Sequence, residues 1–216
     1  MPKRALVLLL AAATTLSACA YNTGVTGQQA GSNPEQRFPT DWRRIVTEED
    51  RVRLREWRGA FTEGLAEARA AGHGGEIDAL GMLLAPDAAL VDPRPPAGTY
   101  RCRMIKLGSQ RSGLLDYVAY DWFECQIADD GEVARFAKTT GSQRPVGSLY
   151  PDSRVRMVFL GTLELSDEVR PYAYDADPER DMIGAVERIG EARWRIVFPW
   201  PAFESTVDVL ELVPAG

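Results

Sequence analysis

The second half of the chain carries aromatic and basic side chains of the types that bind anionic or amphipathic ligands. If they lined one pocket, the rings would supply apolar walls and the cationic groups would recognise the charge of the ligand. Packing in a hydrophobic core explains the same aromatic residues without a ligand, so both interpretations stay open. The ligand-binding candidates are Tyr100, Arg103, Lys106, Trp122, Arg144, Glu187 and Trp194, with Tyr120 in the same group of aromatics.

Acidic residues are the second group that could do chemistry. Glu187 is predicted on a strand beside large apolar residues, where a carboxylate lies either at a solvated rim or in a pair with an arginine. Segment 175–181 contains four acids, but it lacks the spacing and the glycine of an EF-hand and is predicted as a solvated loop. Two inward carboxylates in one cleft would suit a hydrolase, which is kept as an alternative.

His73 is the only histidine of the chain. A single imidazole excludes multi-histidine metal sites and leaves a catalytic triad only one base. His73 lies between glycines and is predicted as a surface turn residue. The sequence also lacks the nucleophile-elbow, zinc-protease, P-loop and dinucleotide motifs. We therefore expect a protein that is not an enzyme and that uses no metal and no cofactor.

Cys102 and Cys125 are the two cysteines of the predicted globular region, and they lie on adjacent predicted strands. No CxxC or CxxH spacing indicates metal or redox chemistry. In an exported and therefore oxidising setting we predict a disulfide, which contributes about 2–4 kcal/mol to stability. Two buried free thiols are the alternative.

The first nineteen residues are predicted to be a processing signal. Lys3 and Arg4 precede an apolar stretch, residues 5–13, that is much shorter than the ~20 residues of a membrane-spanning helix. Residues 16–19, Leu-Ser-Ala-Cys, match the lipobox that bacterial lipoprotein signal peptidase cuts before cysteine. Cys19 is therefore the predicted lipidation site, with an ordinary secretory signal as the alternative. The resemblance to bacterial lipoproteins implies sorting to the outer membrane, since Ala20 stands where their sorting rule would have an aspartate for retention.

The remaining composition limits the partners. The formal net charge of −6 argues against binding to nucleic acid. Residues 1–18 form the predicted signal peptide, and residues 19–40, rich in Gly, Asn, Gln and Thr, form a flexible tether behind the lipidated cysteine. Residues 41–214 form one predicted globular domain, with a helical region over 41–97 and a β-rich region over 98–214.

The helical region has a clear start and a clear end. Thr47 precedes three acidic residues, which is typical of a helix N-terminus. Apolar residues then recur at helical spacing, and the glycine-rich turn at 72–75 ends this helix. A shorter helix follows. The core-facing positions are Leu54, Trp57, Phe61, Leu65 and Ala68 in the first helix and Ile77, Leu80 and Leu84 in the second.

The β-rich region alternates with a period of two and predicts an antiparallel meander of about eight strands. A meander of this size closes into a barrel to remove its edges, and two packed sheets are the alternative. The predicted fold is α+β, with N-terminal helices packed on a mostly antiparallel, calycin-like barrel. The predicted strands are 99–107, 117–127, 132–140, 145–150, 154–163, 181–189, 192–198 and 206–213.

The turn at 130–131, Asp-Gly, predicts a type I′ hairpin between the second and third strands. It pairs Cys125 with Phe136 and Ile127 with Ala134. Because side chains alternate along a strand, Cys125, Ile127 and Phe136 then share one face with Phe123.

The turn at 190–191, Gly-Glu, predicts a type II′ hairpin that pairs Glu187 with Trp194 and Ala185 with Ile196. Trp194 is predicted in the core of the barrel, on one face with Ile183, Ile196 and Phe198. Arg193 and Arg195 alternate to the other side and are predicted to face solvent.

Several separated motifs resemble one family of bacterial proteins. Together they resemble the domain of unknown function 4893 family over residues 41–214. This resemblance implies an exported, often lipid-anchored protein, and it implies no reaction. The motifs are 98–103 (GTYRCR), 106–108 (KLG), 140–144 (TGSQR) with Gly147 and Leu149, 186–190 (VERIG), 193–195 (RWR), 204–205 (ES) and 208–214.

The sequence thus favours a non-catalytic lipoprotein of the bacterial cell envelope, held on the outer membrane by its lipid anchor and facing the periplasm. Its barrel is expected to bind a small ligand or an envelope protein. A periplasmic inhibitor or assembly factor, acting through an exposed edge or the tether, is one alternative. The carboxylate-dependent hydrolase is the other, since fold does not decide function.

Overall fold

Antiparallel strands joined mostly by short turns build the body of the protein, for which a computed structural model describes residues 40–216. The strand order is β2-β1-β3-β4-β5-β6-β7-β8-β9, and β1 also pairs with β9. Eight strands therefore close into a barrel, and β2 lies beside the last residues of β1. The strands are β1 Gly98–Leu107, β2 Tyr117–Ala119, β3 Phe123–Asp130, β4 Val133–Lys138, β5 Gln143–Pro151, β6 Met157–Leu165, β7 Asp181–Gly190, β8 Arg193–Pro199 and β9 Val207–Pro214.

This architecture confirms the predicted α+β barrel with N-terminal helices. The signal peptide 1–18, the lipidation site Cys19 and the tether up to residue 39 lie outside the described residues. Within residues 40–216, no helix is long and apolar enough to cross a membrane.

Successive loops alternate between the two ends of the barrel, as they must in an antiparallel meander. One end carries the longer connections 108–122, 139–142, 166–180 and 200–206, and we call it the long-loop end. The other end, which we call the short-loop end, carries the tight turns at 131–132 and 191–192 and the five-residue connection 152–156. Because binding residues concentrate on loops held by a rigid scaffold, the long-loop end is where a site is expected.

The helices cover one side of the barrel wall. A 3₁₀ turn at Trp42–Arg44 precedes α1 Glu48–Arg55, α2 Trp57–Ala70, α3 Gly74–Ala79 and a second 3₁₀ turn at Gly81–Leu83. Thr47 Oγ1 accepts the backbone N–H of Asp50, which confirms the predicted N-cap. The predicted single helix is two helices, because the backbone leaves helical geometry at Glu56. The break lets α1 lie against β7 and α2 against β8 and β1.

The predicted strand 117–127 is also two strands. β2 pairs with β1 through residues 105–107. β3 pairs with the first half of β1 through residues 98–102. The segment between β2 and β3 runs past β1 without a continuous ladder, so the sheet changes neighbour at this point.

The first hairpin register differs from the prediction by two residues. Ile127 lies opposite Phe136, and Cys125 lies opposite Lys138. The turn is formed one residue later than predicted, by Gly131 and Glu132, and Gly131 has a positive φ of 67°. Because the side-chain period is two, a shift of two residues leaves every face unchanged.

The second hairpin register differs by one residue, and its consequence is larger. A bulge between Arg188 and Gly190 places Arg188, rather than Glu187, opposite Trp194. Glu187 therefore lies opposite Arg195, on the outer face of the barrel. Ile183 lies on that outer face as well and packs with the helices, so its predicted place beside Trp194 is wrong.

The barrel interior is filled by apolar side chains from every strand except β2. Trp194 is 4% exposed, which confirms the prediction that it belongs to the core. Cys102 and Cys125 form the predicted disulfide, with Cα atoms 5.9 Å apart. The interior cluster consists of Tyr100, Cys102, Met104, Cys125, Ile127, Ala134, Phe136, Leu149, Met157, Phe159, Leu163, Met182, Val186, Trp194, Ile196, Phe198, Leu210 and Leu212.

A second apolar cluster lies between the helices and the outer wall. Trp57, Phe61 and Leu65 contribute from α2, and residues such as Val197 and Val209 contribute from the strands. At Gly64 a Cβ atom would lie 2.7 Å from Val207 Cγ1, so this glycine permits the close approach of α2. The protein thus has two cores, separated by the barrel wall.

The prediction that Arg195 faces solvent is wrong. The side chain is 0% exposed, because the outer face of β8 is covered by α2 and by the second 3₁₀ turn. Its guanidinium donates to Glu187 Oε2 at 2.9 and 2.6 Å and to the carbonyl oxygens of Leu83 and Ala85 at 2.8 and 2.7 Å. A buried charge persists only with such pairing. Arg193 remains partly exposed.

Candidate functional site

Two of the predicted ligand-binding aromatics are structural parts of the barrel interior. Tyr100 and Trp194 meet edge to face with ring centroids 6.0 Å apart. The Tyr100 hydroxyl donates to the carbonyl oxygen of Pro96 at 2.7 Å, and burial raises the pKa of Tyr100 to about 12. Both side chains pack against protein atoms, so they do not line a ligand pocket inside the barrel.

Lys106 points into the barrel at its long-loop end and is held by carboxylates. Its Nζ lies 2.9 Å from Asp208 Oδ2 and 3.4 Å from Glu204 Oε2. Burial opposes the ammonium form, but Asp208 and Glu204 outweigh that effect and raise the pKa of Lys106. Ser205 also donates to Asp208. These residues join β1 to the loop 200–206, so Lys106 positions that loop.

Lys138 points inward at the same end and is a residue that the sequence interpretation missed. Its Nζ donates to the carbonyl oxygens of Thr140 and Gln143 at 2.8 and 2.9 Å and lies 3.6 Å from the ring centroid of Phe123. Burial and the nearby charge of Arg144 lower the pKa of Lys138 to about 8. Only the tertiary structure assembles these contacts.

Arg144 is likewise engaged by its surroundings. Its guanidinium pairs with Glu164 at 3.1 Å. It also donates to the carbonyl oxygens of Gly141, Ser166 and Glu168 at 2.9, 2.6 and 2.9 Å. Arg144 therefore ties the loop 139–142 to the loop 166–180.

Arg103 and Trp122 are the predicted candidates that meet on the outer surface. The guanidinium carbon of Arg103 lies 4.7 Å from the Trp122 ring centroid, and that of Arg101 lies 4.9 Å away. Glu211 accepts from Arg103 and from Arg193, each at 2.6 Å. Trp122 is 39% exposed, so this wall presents an aromatic edge between arginines to solvent. We call these residues the arginine–tryptophan wall.

Of the two environments predicted for Glu187, the structure shows the pair with an arginine. Glu187 is buried and paired with Arg195, so it lies at no solvated rim. The two groups hold the second 3₁₀ turn and the segment 83–86 against the barrel wall. Their partners are all protein atoms, which assigns both residues to the architecture.

A cleft lies at the long-loop end, between α1 and two of the loops. It has a volume of about 450 Å³ and is open to solvent. Residues 49, 52, 53 and 56 form one wall, since positions i, i+3, i+4 and i+7 share a helix face. The loops 166–180 and 200–206 form the rest. The lining residues are Glu49, Val52, Arg53, Glu56, Pro178, Glu179, Trp200 and Ala202.

Arg53 holds the three walls of the cleft together. Its Nε donates to Asp50 Oδ1 at 2.7 Å, and its two terminal nitrogens donate to the carbonyl oxygens of Trp200 and Asp181, each at 3.1 Å. The second carboxylate oxygen of Asp50 accepts the hydroxyl of Tyr174. A charged guanidinium with this many acceptors is a strong clamp. The cleft walls are therefore fixed by α1 itself.

Asp181 lies beneath the cleft with its carboxylate buried. Both of its oxygens accept the backbone N–H of Asp175, at 3.0 and 3.2 Å. Burial raises the pKa of Asp181 to about 6, and the negative charges of Asp50 and Asp175 add to the effect. This carboxyl group is thus protonated at a higher pH than an exposed aspartate.

Four non-glycine residues with left-handed backbone conformations belong to the two loops at the cleft. They are Ser166, Asp175, Trp200 and Glu204, with φ values of 47°, 70°, 39° and 71°. Each is held by a backbone hydrogen bond: Ser166 N–H donates to Ser142 O at 2.7 Å, Trp200 N–H donates to Thr206 O at 3.0 Å, and Glu204 O accepts the Gln110 N–H at 2.9 Å, while Asp175 N–H donates to the Asp181 carboxylate. Such conformations cost energy outside glycine and concentrate at functional sites.

His73 and segment 175–181 take the positions expected for them. His73 Nδ1 lies 3.1 Å from Glu76 Oε1, and the imidazole stacks on Tyr117 with centroids 5.0 Å apart. Segment 175–181 is a loop, and within residues 40–216 no group of three or more acids, histidines or cysteines could hold a metal ion. Of the acids of this segment, Glu179 lines the cleft.

The sequence interpretation did not identify the cleft. Glu49, Arg53 and Glu56 belong to a predicted helix, but their spacing indicates only one helix face. Trp200 follows a predicted strand and carries no motif. The acid-rich loop was the one signal at this place, and it pointed to a solvated loop.

Comparisons with known proteins give one result. No curated protein and no solved structure matches the chain significantly. The model of a family described as a domain of unknown function, DUF4893, matches residues 42–212, which include the helices, the barrel, the arginine–tryptophan wall and the cleft. Because this match spans most of the sequence, the chain belongs to the DUF4893 family.

Proposed function

We propose that this protein is a non-catalytic binding domain of the bacterial cell envelope. A lipid on Cys19 holds it on the outer membrane, facing the periplasm, and residues 20–40 tether the domain. It recognises a small ligand or an envelope protein on the outer surface of its barrel.

The filled interior is the observation that carries this proposal. Side chains from all eight barrel strands pack against one another, and the disulfide crosses the same space. A barrel that carries a ligand inside leaves a cavity among such side chains. Recognition is therefore assigned to the outside, where the cleft and the arginine–tryptophan wall present aromatic and charged groups.

The state of the carboxylates supports a binding role over hydrolysis. A general acid of a glycoside hydrolase is desolvated so that it keeps its proton. The three cleft carboxylates, Glu49, Glu56 and Glu179, are exposed. Asp181 has the raised pKa, but it does not line the cleft and its oxygens accept the Asp175 N–H. The carboxyl group with the raised pKa, that of Asp181, is thus not one of the carboxylates that a substrate in the cleft would contact.

Photocrosslinking in cells tests where recognition occurs. Benzoylphenylalanine is placed in the full chain at Ala202 beside the cleft, at Trp122 on the wall, or at exposed Val155 near the short-loop end as a control. We expect discrete adducts, identified by mass spectrometry, at residue 202 or 122 and not at residue 155. Equal adducts at all three positions, or none at any, would contradict recognition on these surfaces.

The lipid anchor has a separate test. Cys19→Ala removes the thiol that takes the lipid, so we expect the protein to leave the membrane fraction or to remain as the uncut precursor. Ser17→Ala keeps a small residue before the cut and should be processed normally. A Cys19→Ala protein that is cut and stays with membranes would show that the anchor assignment is wrong.

A further inference from the structure

We propose that the cleft binds an organic cation with an apolar body, such as an alkyl diamine. This inference rests on the proposed function, since it names the ligand class of one outer-surface site. It joins three observations: the shape and floor of the cleft, the sign of its free charges, and the separation of those charges over two walls.

The floor of the cleft is apolar and aromatic. Val52, Pro178 and Trp200 contribute to its lining. Trp200 is only partly buried: its backbone is held by Arg53 and by Thr206, and its side chain packs against the apolar cluster between the helices and the barrel wall. An apolar stem buries surface against such a floor, and an indole attracts a cation placed over its ring.

The free charges at the cleft are negative. Glu49, Glu56 and Glu179 line it and form no ion pair within residues 40–216. Arg53 also lines it, but its charge is balanced by buried Asp50 and its nitrogens are occupied by Asp50 and two carbonyl oxygens. A positively charged ligand in the cleft therefore contacts unpaired carboxylates, and the charge of Arg53 is already neutralised by Asp50.

The arrangement suits an extended organic ion better than a metal ion. Glu49 lies in the first turn of α1, and Glu56 directly follows its last residue. Glu179 lies on the loop 166–180, across the cleft from α1. A metal ion needs several oxygens within about 2.6 Å of one point. No such grouping exists among the described residues. Carboxylates spread around an apolar floor instead match separated positive charges on a flexible stem.

The test uses the mature domain and 1,5-diaminopentane as the probe. Isothermal titration gives its affinity, and the indole N–H signal of Trp200, assigned by its loss in Trp200→Phe, reports the place of binding. We expect saturable binding that shifts this signal and weakens as salt is added. Neutral 1,5-pentanediol has the same stem and should bind at least ten-fold more weakly.

Charge-removing variants localise the effect. Glu179→Gln and Glu56→Gln should each weaken diamine binding about three-fold, as expected for loss of one exposed ion pair. Glu132→Gln, at the tight turn of the short-loop end, is the matched control and should bind as the parent does. All three are exposed positions, so their thermal unfolding curves should superimpose on that of the parent.

The possible outcomes separate this inference from the proposed function. Absence of saturable binding, equal binding of the diol, or equal weakening by Glu132→Gln would overturn the cation site. If crosslinks at residue 122 persist in that case, outer-surface recognition still stands. If diamine binds but no adduct forms at residue 202 or 122 in cells, the cleft chemistry holds and the cellular role is wrong.

Discussion

The two faces of β8 differ more than their common strand suggests. Inside the barrel, Trp194, Ile196 and Phe198 pack among apolar side chains. On the outside, Arg195 is equally buried, but it lies between Glu187, the carbonyl oxygens of residues 83 and 85, and the ring of Phe61, whose centroid is 5.0 Å away. One face is stabilised by apolar packing and the other by a fully partnered charge.

This difference shows what strand alternation does and does not specify. Alternation separates two sets of side chains, and it placed Trp194 inside correctly. It does not say what covers the outer set. Arg193 and Arg195 share the outer face, yet only Arg195 lies beneath the helical region. The following predictions test the contrast between the interior and the helix-covered wall.

Trp194→Ala should have the largest effect on the interior. Removing a buried indole from a packed barrel costs about 3–5 kcal/mol of the free energy of unfolding, because the neighbouring side chains cannot fill the space. Denaturant melts measure this cost. Trp122→Ala is the matched control on the exposed wall and should cost less than about 1 kcal/mol. Equal midpoints for the two variants would contradict the burial of Trp194.

Arg195→Ala should cost a similar amount, about 3–5 kcal/mol, because it leaves the Glu187 carboxylate buried without its partner. The double variant Arg195→Met with Glu187→Leu removes both charges and should recover most of the loss. Arg193→Ala, two residues away on the same face, should cost less than about 1 kcal/mol, since Glu211 keeps Arg103. A double variant as unstable as Arg195→Ala would show that the charge pair does not explain the cost.

Replacement of both Cys102 and Cys125 by alanine should cost about 2–4 kcal/mol, because the unfolded chain regains the freedom of a closed loop. The sequence separation of the two cysteines is 23 residues. Adding a reductant to the parent protein should lower the denaturant midpoint in the same direction. Two alkylatable thiols in the native, oxidised protein would contradict this prediction.

Thr47→Ala should cost about 1 kcal/mol, since the N–H of Asp50 loses its acceptor at the start of α1. The loss is smaller than that of Arg195→Ala because the lost hydrogen bond joins neutral groups and leaves no buried charge without its partner. Thr47→Ser keeps the acceptor oxygen and is the control. Thermal unfolding of the three proteins gives the comparison, and equal losses for both variants would assign the effect to packing.

Asp181→Asn should change the pH dependence of stability with the smallest amplitude. The folded pKa of Asp181 is raised to about 6 from an ordinary 3.8, so the folded state holds a proton that the unfolded state releases. Its contribution is fully present below about pH 4 and is lost as the pH rises through about 6. Asp181→Asn should remove that component. Asp121→Asn, at an exposed carboxylate, should keep the parent profile.

Local patterns accounted for much of the fold. Thr47 and the acids after it predicted the start of α1, and the apolar alternation predicted the inward faces of β3, β4 and β8. The two hairpins show the limit. In the first, a two-residue error kept Cys125 and Phe136 on their face. In the second, the bulge before Gly190 moved Glu187 to the outside, and a bulge has no signal in the alternation itself.

The candidate site was less predictable than the fold. Its aromatic and charged residues were chosen by type, and the structure distributes them over the interior, the loop ties and the outer wall. Arg53 connects the walls of the cleft because Asp50 precedes it by one helical turn and because it donates to the distant carbonyl oxygens of Trp200 and Asp181. Trp200 lines the cleft because its loop is tied to β1 and to α1. Such contacts join residues more than a hundred positions apart.

The sequence by itself determined the type of each element and the inward faces of β3, β4 and β8, because hydrophobic periodicity and end-capping residues act between near neighbours in the chain. It also determined that Cys102 and Cys125 lie on neighbouring strands. Only the tertiary structure decided that Arg195 is buried, that Glu187 is its partner, and that α1 and two loops enclose a cleft. The reason is that burial of an outer face depends on which distant segment covers it, and no local pattern contains that information.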